Sequence, residues 1–151
     1  MKNIILFLWQ LPQNILGYFM MIFLDAYKPC FDTDKEFWLH YNTMFSNFSL
    51  GYFVVMNGYI YSEIELKHEF GHQKQSLYLG WLYIPIIGIS SFLGNIWHRI
   101  FHKNCEMNKR KKWYYSLPWE KWADKLGNVK RNYLEEIWYE QNGAWRFCKE
   151  I

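Results

Sequence analysis

The sequence lacks most of the features that place a chain quickly. It has only 3 cysteines, Cys30, Cys105 and Cys148, widely spaced and without a CxxC pair. Neither a disulfide framework, nor a thiolate zinc site, nor a redox dithiol is therefore expected. With 9 Gly and 4 Pro in 151 residues, it is too poor in both to be collagenous or low in complexity. It has little excess charge: 17 Lys and Arg against 14 Asp and Glu leave +3, too mild a balance to indicate nucleic acid. A mean hydropathy of -0.26 excludes a chain built densely of membrane spans. What is plentiful is aromatic: 9 Trp, 12 Tyr and 12 Phe make up 22% of the residues. That excludes intrinsic disorder and suits either an aromatic core or a membrane interface. At this length, one domain over residues 1–151 is expected.

Two apolar stretches organise the chain, at residues 4–24 and 77–97. Each is about as long as a bilayer-spanning helix requires, and neither is a clean span. Gln10, Pro12, Gln13 and Asn14 interrupt the first and also spoil it as the core of a signal peptide. Gln10, Gln13, Asn14 and Gly17 fall on one helical face, a polar stripe that packs against protein. The second stretch is long enough to span, but Pro85 and Gly88 could bend it into a re-entrant or interfacial hairpin; for Glu120 to reach the histidines, either it bends so or the site lies at membrane depth. A short aromatic helix is expected around residues 36–44. The run 49–61 reads as a β-hairpin turning at Asn57-Gly58, and Ser62 with Glu65 forms a capping box for a helix over 63–79. After residue 97 comes a basic cluster, His98, Arg99, His102, Lys103 and Lys109 to Lys112. Following an apolar segment, it points to anionic lipid headgroups and a cytoplasmic side, with no nucleic acid partner.

The chemistry lies in His68-Glu69-Phe70-Gly71-His72. An HExxH on a helix presents both imidazoles on one face, able to grip one Zn2+, with the glutamate beside them to take a proton from water. Chance places such a motif in about one chain per hundred of this composition. Gly71 costs helix stability without an obvious packing need, which leans toward a crowded functional face. Two histidines need a third ligand. The metzincin continuation is absent, since Gln75 and Tyr78 stand where Gly and His are required. The better candidate is Glu120-Lys121-Trp122-Ala123-Asp124. Glu120 and Asp124 share a helical face, so the first can bind metal while the second buttresses a ligand histidine. His98 and His102 also stand four apart, but no acid lies between them, and they read as part of the basic face.

HExxH followed by ExxAD resembles the gluzincin metallopeptidases, particularly the membrane endopeptidases related to the CaaX prenyl protease and the heat-shock membrane protease. The resemblance implies His68, His72 and Glu120 as zinc ligands, Glu69 as general base and Asp124 as support. A fuller resemblance is to a group of small bacterial membrane-associated HExxH proteins. It is carried by Gln10-Leu11-Pro12-Gln13-Asn14, by residues 68–82 (HEFGHQKQSLYLGWL) and by residues 114–129 (YYSLPWEKWADKLGNV). It covers about half the chain and is specific for the zinc site, not for a substrate. The expectation is a mainly α fold with a small β-hairpin, its membrane-associated helices set around an HExxH active-site helix. The function expected is a zinc-dependent peptidase at the bacterial cytoplasmic membrane, acting on a peptide or protein substrate. An edge of the 49–61 hairpin would hold that substrate by strand addition. Alternatives from other classes are a membrane protein with a structural zinc and a soluble aromatic-rich binding domain.

Overall fold

The computed structural model describes residues 2–24, 38–42, 47–57, 60–102, 107–132 and 146–147. All three cysteines, Lys103 and the acidic residues 25–36 lie outside this set. Helices dominate: α1 (Lys2–Trp9), α2 (Leu11–Phe23), α3 (Glu63–Leu79), α4 (Ile89–Phe101), α5 (Met107–Tyr114) and α6 (Pro118–Gly127). The strands are β1 (Trp38–Asn42), β2 (Phe48–Leu50), β3 (Phe53–Asn57), β4 (Ile60–Tyr61) and β5 (Arg146–Phe147). A mainly α chain with a small β component is the observed class.

Two expectations are corrected. Residues 38–42 form a strand, not part of an aromatic helix, and β1 runs parallel to β3. Trp38 and Tyr41 are of types favoured in strands, and pairing with β3 decides the outcome. The hairpin turns at Gly51-Tyr52 rather than at Asn57-Gly58, because β3 pairs antiparallel with β2 while β4 pairs with β5. Gly51 has φ 59, and an added Cβ would overlap the Asn14 carboxamide oxygen, so only glycine serves there. Within this sheet β3 is central in the order β1-β3-β2, so the edge that the hairpin offers for strand addition is that of β2. Phe53, Val54, Val55 and Met56 are all buried, which explains a continuous apolar run in place of alternation.

Among the described residues no single helix is long and apolar enough to cross a membrane. The first apolar stretch breaks at Gln10, with Pro12 in the first turn of α2. The second breaks after α3 into a 3-10 turn (Gly80–Leu82) and a π-helical turn (Ile84–Gly88). Pro85 forfeits a helical hydrogen bond there. The segments Glu63–Leu82 and Ile84–Phe101 consequently bend by 118°.

The polar stripe of α2 packs inward as expected, with Gln10, Gln13, Asn14 and Gly17 buried. Gln13 Nε2 donates to Ser76 Oγ at 3.0 Å and to Gly80 O at 2.8 Å, and Ser76 Oγ donates to Gln10 Oε1 at 2.8 Å. Asn14 Oδ1 accepts from Tyr52 N at 2.8 Å. These amides dock α2 onto both α3 and the β2–β3 turn. Ser62 Oγ caps α3 by accepting from Glu65 N at 3.1 Å.

Candidate metal centre

Helices α3 and α6 cross in an antiparallel register repeated every four residues. Gln75 Nε2 donates to Trp119 O at 2.7 Å, Gly71 lies against Ala123, and Gly127 lies against Lys67 O. A Cβ on Gly71 would overlap the Ala123 carbonyl. The glycine inside HExxH therefore has a packing purpose: it lets the α6 backbone press onto α3. Because the helices run oppositely, two pairs spaced by four meet in reverse order. His68 faces Asp124, and His72 faces Glu120.

At that seam three acceptor atoms converge. His68 Nε2 lies 3.1 Å from His72 Nε2 and 3.0 Å from Glu120 Oε2, and His72 Nε2 lies 3.2 Å from Glu120 Oε2. All three residues are buried, and together they form a group that could hold a metal ion. The far nitrogens are already engaged: His68 Nδ1 meets Asp124 Oδ1 at 2.6 Å, and His72 Nδ1 meets Gln75 Oε1 at 2.8 Å. With Nδ1 donating to those oxygens, each neutral imidazole turns an Nε2 lone pair inward. Two lone pairs and a carboxylate oxygen facing one another repel unless a proton or a metal ion stands between them. The donor set fits a divalent ion with nitrogen and oxygen ligands.

Neighbours hold each ligand in place. Ser91 Oγ, on α4, donates to Glu120 Oε1 at 2.7 Å, leaving Oε2 for the triangle. Arg131 grips Asp124 with two bonds of 2.7 and 2.8 Å. Its guanidinium also stacks 3.2 Å above the Tyr115 ring, which packs edge-on against His68 at 5.1 Å. Glu69 is buried and its Oε2 has no hydrogen-bond partner. Burial and the charge of Glu120 raise the Tyr114 pKa.

The protonation states follow from these contacts. Burial pushes the Glu69 carboxyl up to about 7, against the opposing charge of His72. Glu120 is buried too, yet the charge of His72 and bonds from both histidines outweigh desolvation and hold it well below the carboxylate range. Asp124 is likewise lowered, its burial outweighed by His68 and Arg131. Burial lowers the His68 pKa, but bonds to Asp124 and Glu120 overcome this and raise it. Two carboxyls on one seam are thus driven apart, Glu69 toward holding a proton and Glu120 toward ionisation.

The structure brings His68, His72, Glu120 and Asp124 together, as the spacing suggests, with Glu69 buried beside them. It leaves His98 and His102 apart, packed on Trp113 with centroid distances of 6.1 and 4.4 Å. Burial and the neighbouring Arg110 lower the His98 pKa. Gln75, Ser91 and Arg131 are contributors that sequence reasoning missed. Gln75 carried a usable signal, three residues after His72 on the same helix. Ser91 and Arg131 carried none, since each reaches the site through tertiary structure. Compared with protein-family models, curated proteins and solved structures, the chain matches none of them.

Proposed function

We propose that this chain is a zinc-dependent metallopeptidase of gluzincin type, working at a membrane on a peptide or protein substrate. The observation that carries this reading is the buried His68–His72–Glu120 triangle with the unpartnered Glu69 Oε2 on the same helix. Its edges of 3.0 to 3.2 Å are close to the roughly 3.3 Å that separates ligand atoms about 2.0 Å from a tetrahedral zinc. Zinc, when bound, polarises the scissile carbonyl and lowers the pKa of water.

The chain's own residues supply the rest. His68, His72 and Glu120 hold the ion. Asp124 and Gln75 set the imidazole tautomers, and Ser91 orients Glu120. Glu69 takes the proton of the attacking water as the C–O bond forms. It then delivers that proton to the amine as the C–N bond breaks. Desolvation strengthens Glu69 as a base, and the charge of a bound ion beside it favours its ionised form at neutral pH.

One observation favours a structural zinc instead. His68, His72, Glu69 and Glu120 are each no more than 7% exposed. A groove of about 450 Å³ nearby is lined by Lys112, Tyr115, Lys121, Asp124 and Arg131 rather than by the ligands. Closed zinc sites are structural, and catalytic ones keep an open position. Glu69→Gln separates the two. On the peptidase reading it retains zinc and loses hydrolysis of a mixed peptide library by about 10²- to 10⁴-fold. Wild-type protein that holds zinc and cleaves nothing supports the structural alternative.

A further inference from the structure

We infer that the chain seats itself in one leaflet of an anionic bilayer, entering with α1, α2, α4 and the α3–α4 bend and leaving on the side it entered. This deepens the membrane part of the reading above and does not depend on the peptidase part.

The described surface is apolar where a water-soluble chain is polar. On α1 and α2, Ile4, Ile5, Leu8, Phe19, Ile22 and Phe23 are among the large side chains left exposed. Around the bend and along α4, so are Trp81, Leu82, Phe92, Leu93, Trp97 and Ile100. Residues 3–24 and 75–97 carry no Asp, Glu, Lys or Arg. A patch of this extent marks an interaction surface, and three features identify lipid as its occupant.

The first is how the polar atoms on that surface are treated. Trp9 Nε1 donates to Leu77 O at 2.9 Å, and Trp81 Nε1 donates to Leu8 O at 3.0 Å, although both indoles are about half exposed. Water would satisfy such donors without help, but hydrocarbon cannot, so they must be satisfied internally. The amides of Gln10, Gln13 and Asn14 likewise turn away from the surface into protein. The second feature is charge. Arg99 sits on the last turn of α4, and α5, with Lys109, Arg110, Lys111 and Lys112, packs against that helix. Basic residues next to an apolar surface complement anionic headgroups. The third is length. At about 1.5 Å per residue, α2 or α4 reaches about 20 Å, short of the roughly 30 Å hydrocarbon core. The 118° bend carries the chain back, so α6 and Glu120 stay on the same side as His68 and His72.

The test uses the full purified chain, with vesicles of phosphatidylcholine alone or mixed with phosphatidylglycerol. The protein is expected to float with both, and more tightly with the anionic mixture. Phe19→Ser and Phe92→Ser should each weaken binding to both about ten- to a hundredfold. Lys109→Gln, Lys111→Gln and Lys112→Gln should together cost about fivefold per lysine on anionic vesicles only. Circular dichroism checks that each variant is folded. In Leu82→Cys, at the bend, the added thiol should stay unlabelled, relative to wild type, by an impermeant maleimide trapped inside the vesicles. Labelling from inside overturns the one-leaflet geometry. A lipid-independent dimer that does not float overturns the proposal in favour of a second copy. Equal binding to both vesicles overturns the headgroup contact. Zinc content measured in parallel keeps the readings apart: flotation without zinc refutes the metal site alone, and zinc without flotation refutes the membrane seat alone.

Discussion

The seam between α3 and α6 and the outer faces of α1, α2 and α4 reverse the usual arrangement of a globular protein. Among the described residues, the buried set has 8 apolar members and 11 polar ones, whereas 22 large hydrophobic side chains are exposed. The polar interior is organised in two linked groups, Gln10, Ser76 and Gln13 in one and Gln75, His72, Glu120 and His68 in the other. Buried polar groups are expensive unless partnered. Among the described buried side-chain atoms without a hydrogen-bond partner is Glu69 Oε2. The exterior follows the opposite rule, apolar and charge-free over long stretches. The comparison teaches that this protein gathers its polar groups inside and leaves long uncharged, apolar faces exposed.

That contrast can be broken at several points, beginning with the tightest. Gly71→Ala drives a methyl group into the Ala123 carbonyl and must separate α3 from α6. A loss of at least about 3 kcal/mol is expected, together with loss of metal, read by thermal unfolding with and without zinc. Unchanged stability would mean that the two helices do not approach as closely as the contrast requires.

Glu69→Gln probes the cost of the buried carboxyl in metal-free protein. Its folded pKa, about 7, lies above the ordinary 4.5, so the group destabilises the fold once it must ionise. That cost is absent below pH 4.5, grows between pH 4.5 and 7, and is complete above 7. The variant should therefore gain about 2–3 kcal/mol over wild type at pH 8 and nothing at pH 4.5. Urea unfolding at the two pH values measures this, and a pH-independent difference would show that Glu69 is solvated.

Ser91→Ala removes one bond to Glu120 from the helix beyond the bend. About 1 kcal/mol of stability and about tenfold in metal affinity are expected to go, measured by competition with a chelator. Smallest of all, Phe92→Ser on the outer face should change stability in detergent by less than about 0.5 kcal/mol. A larger loss would place Phe92 in a protein core.

The metal centre was the most legible part of the sequence, because helical spacing is a strong geometric constraint. Residues four apart share a face, so His68 with His72 and Glu120 with Asp124 could be paired before any fold was known. Which acid meets which histidine depends on the antiparallel crossing, and no local pattern carries that. The cap at Ser62 and the inward stripe of α2 were also legible, being short-range rules of capping and periodicity. The strands were read poorly. Asn57-Gly58 is a strong turn signal, but the turn at Gly51 wins because Asn14 of α2 holds it through Tyr52 N, a contact 38 residues distant in the chain. β1 was mistaken for helix because its partner β3 follows it only after an intervening strand. Ser91 and Arg131 were invisible for the same reason, since each acts on the site across a bend or past a helix end.

The central claim is that His68, His72 and Glu120 hold one metal ion while Glu69 does not. It is tested most directly by zinc content per chain in purified wild type, Glu120→Ala and Glu69→Gln. One equivalent in wild type and in Glu69→Gln, with loss in Glu120→Ala, is the predicted result. Full retention of zinc in Glu120→Ala, or none in wild type after zinc loading, would contradict it.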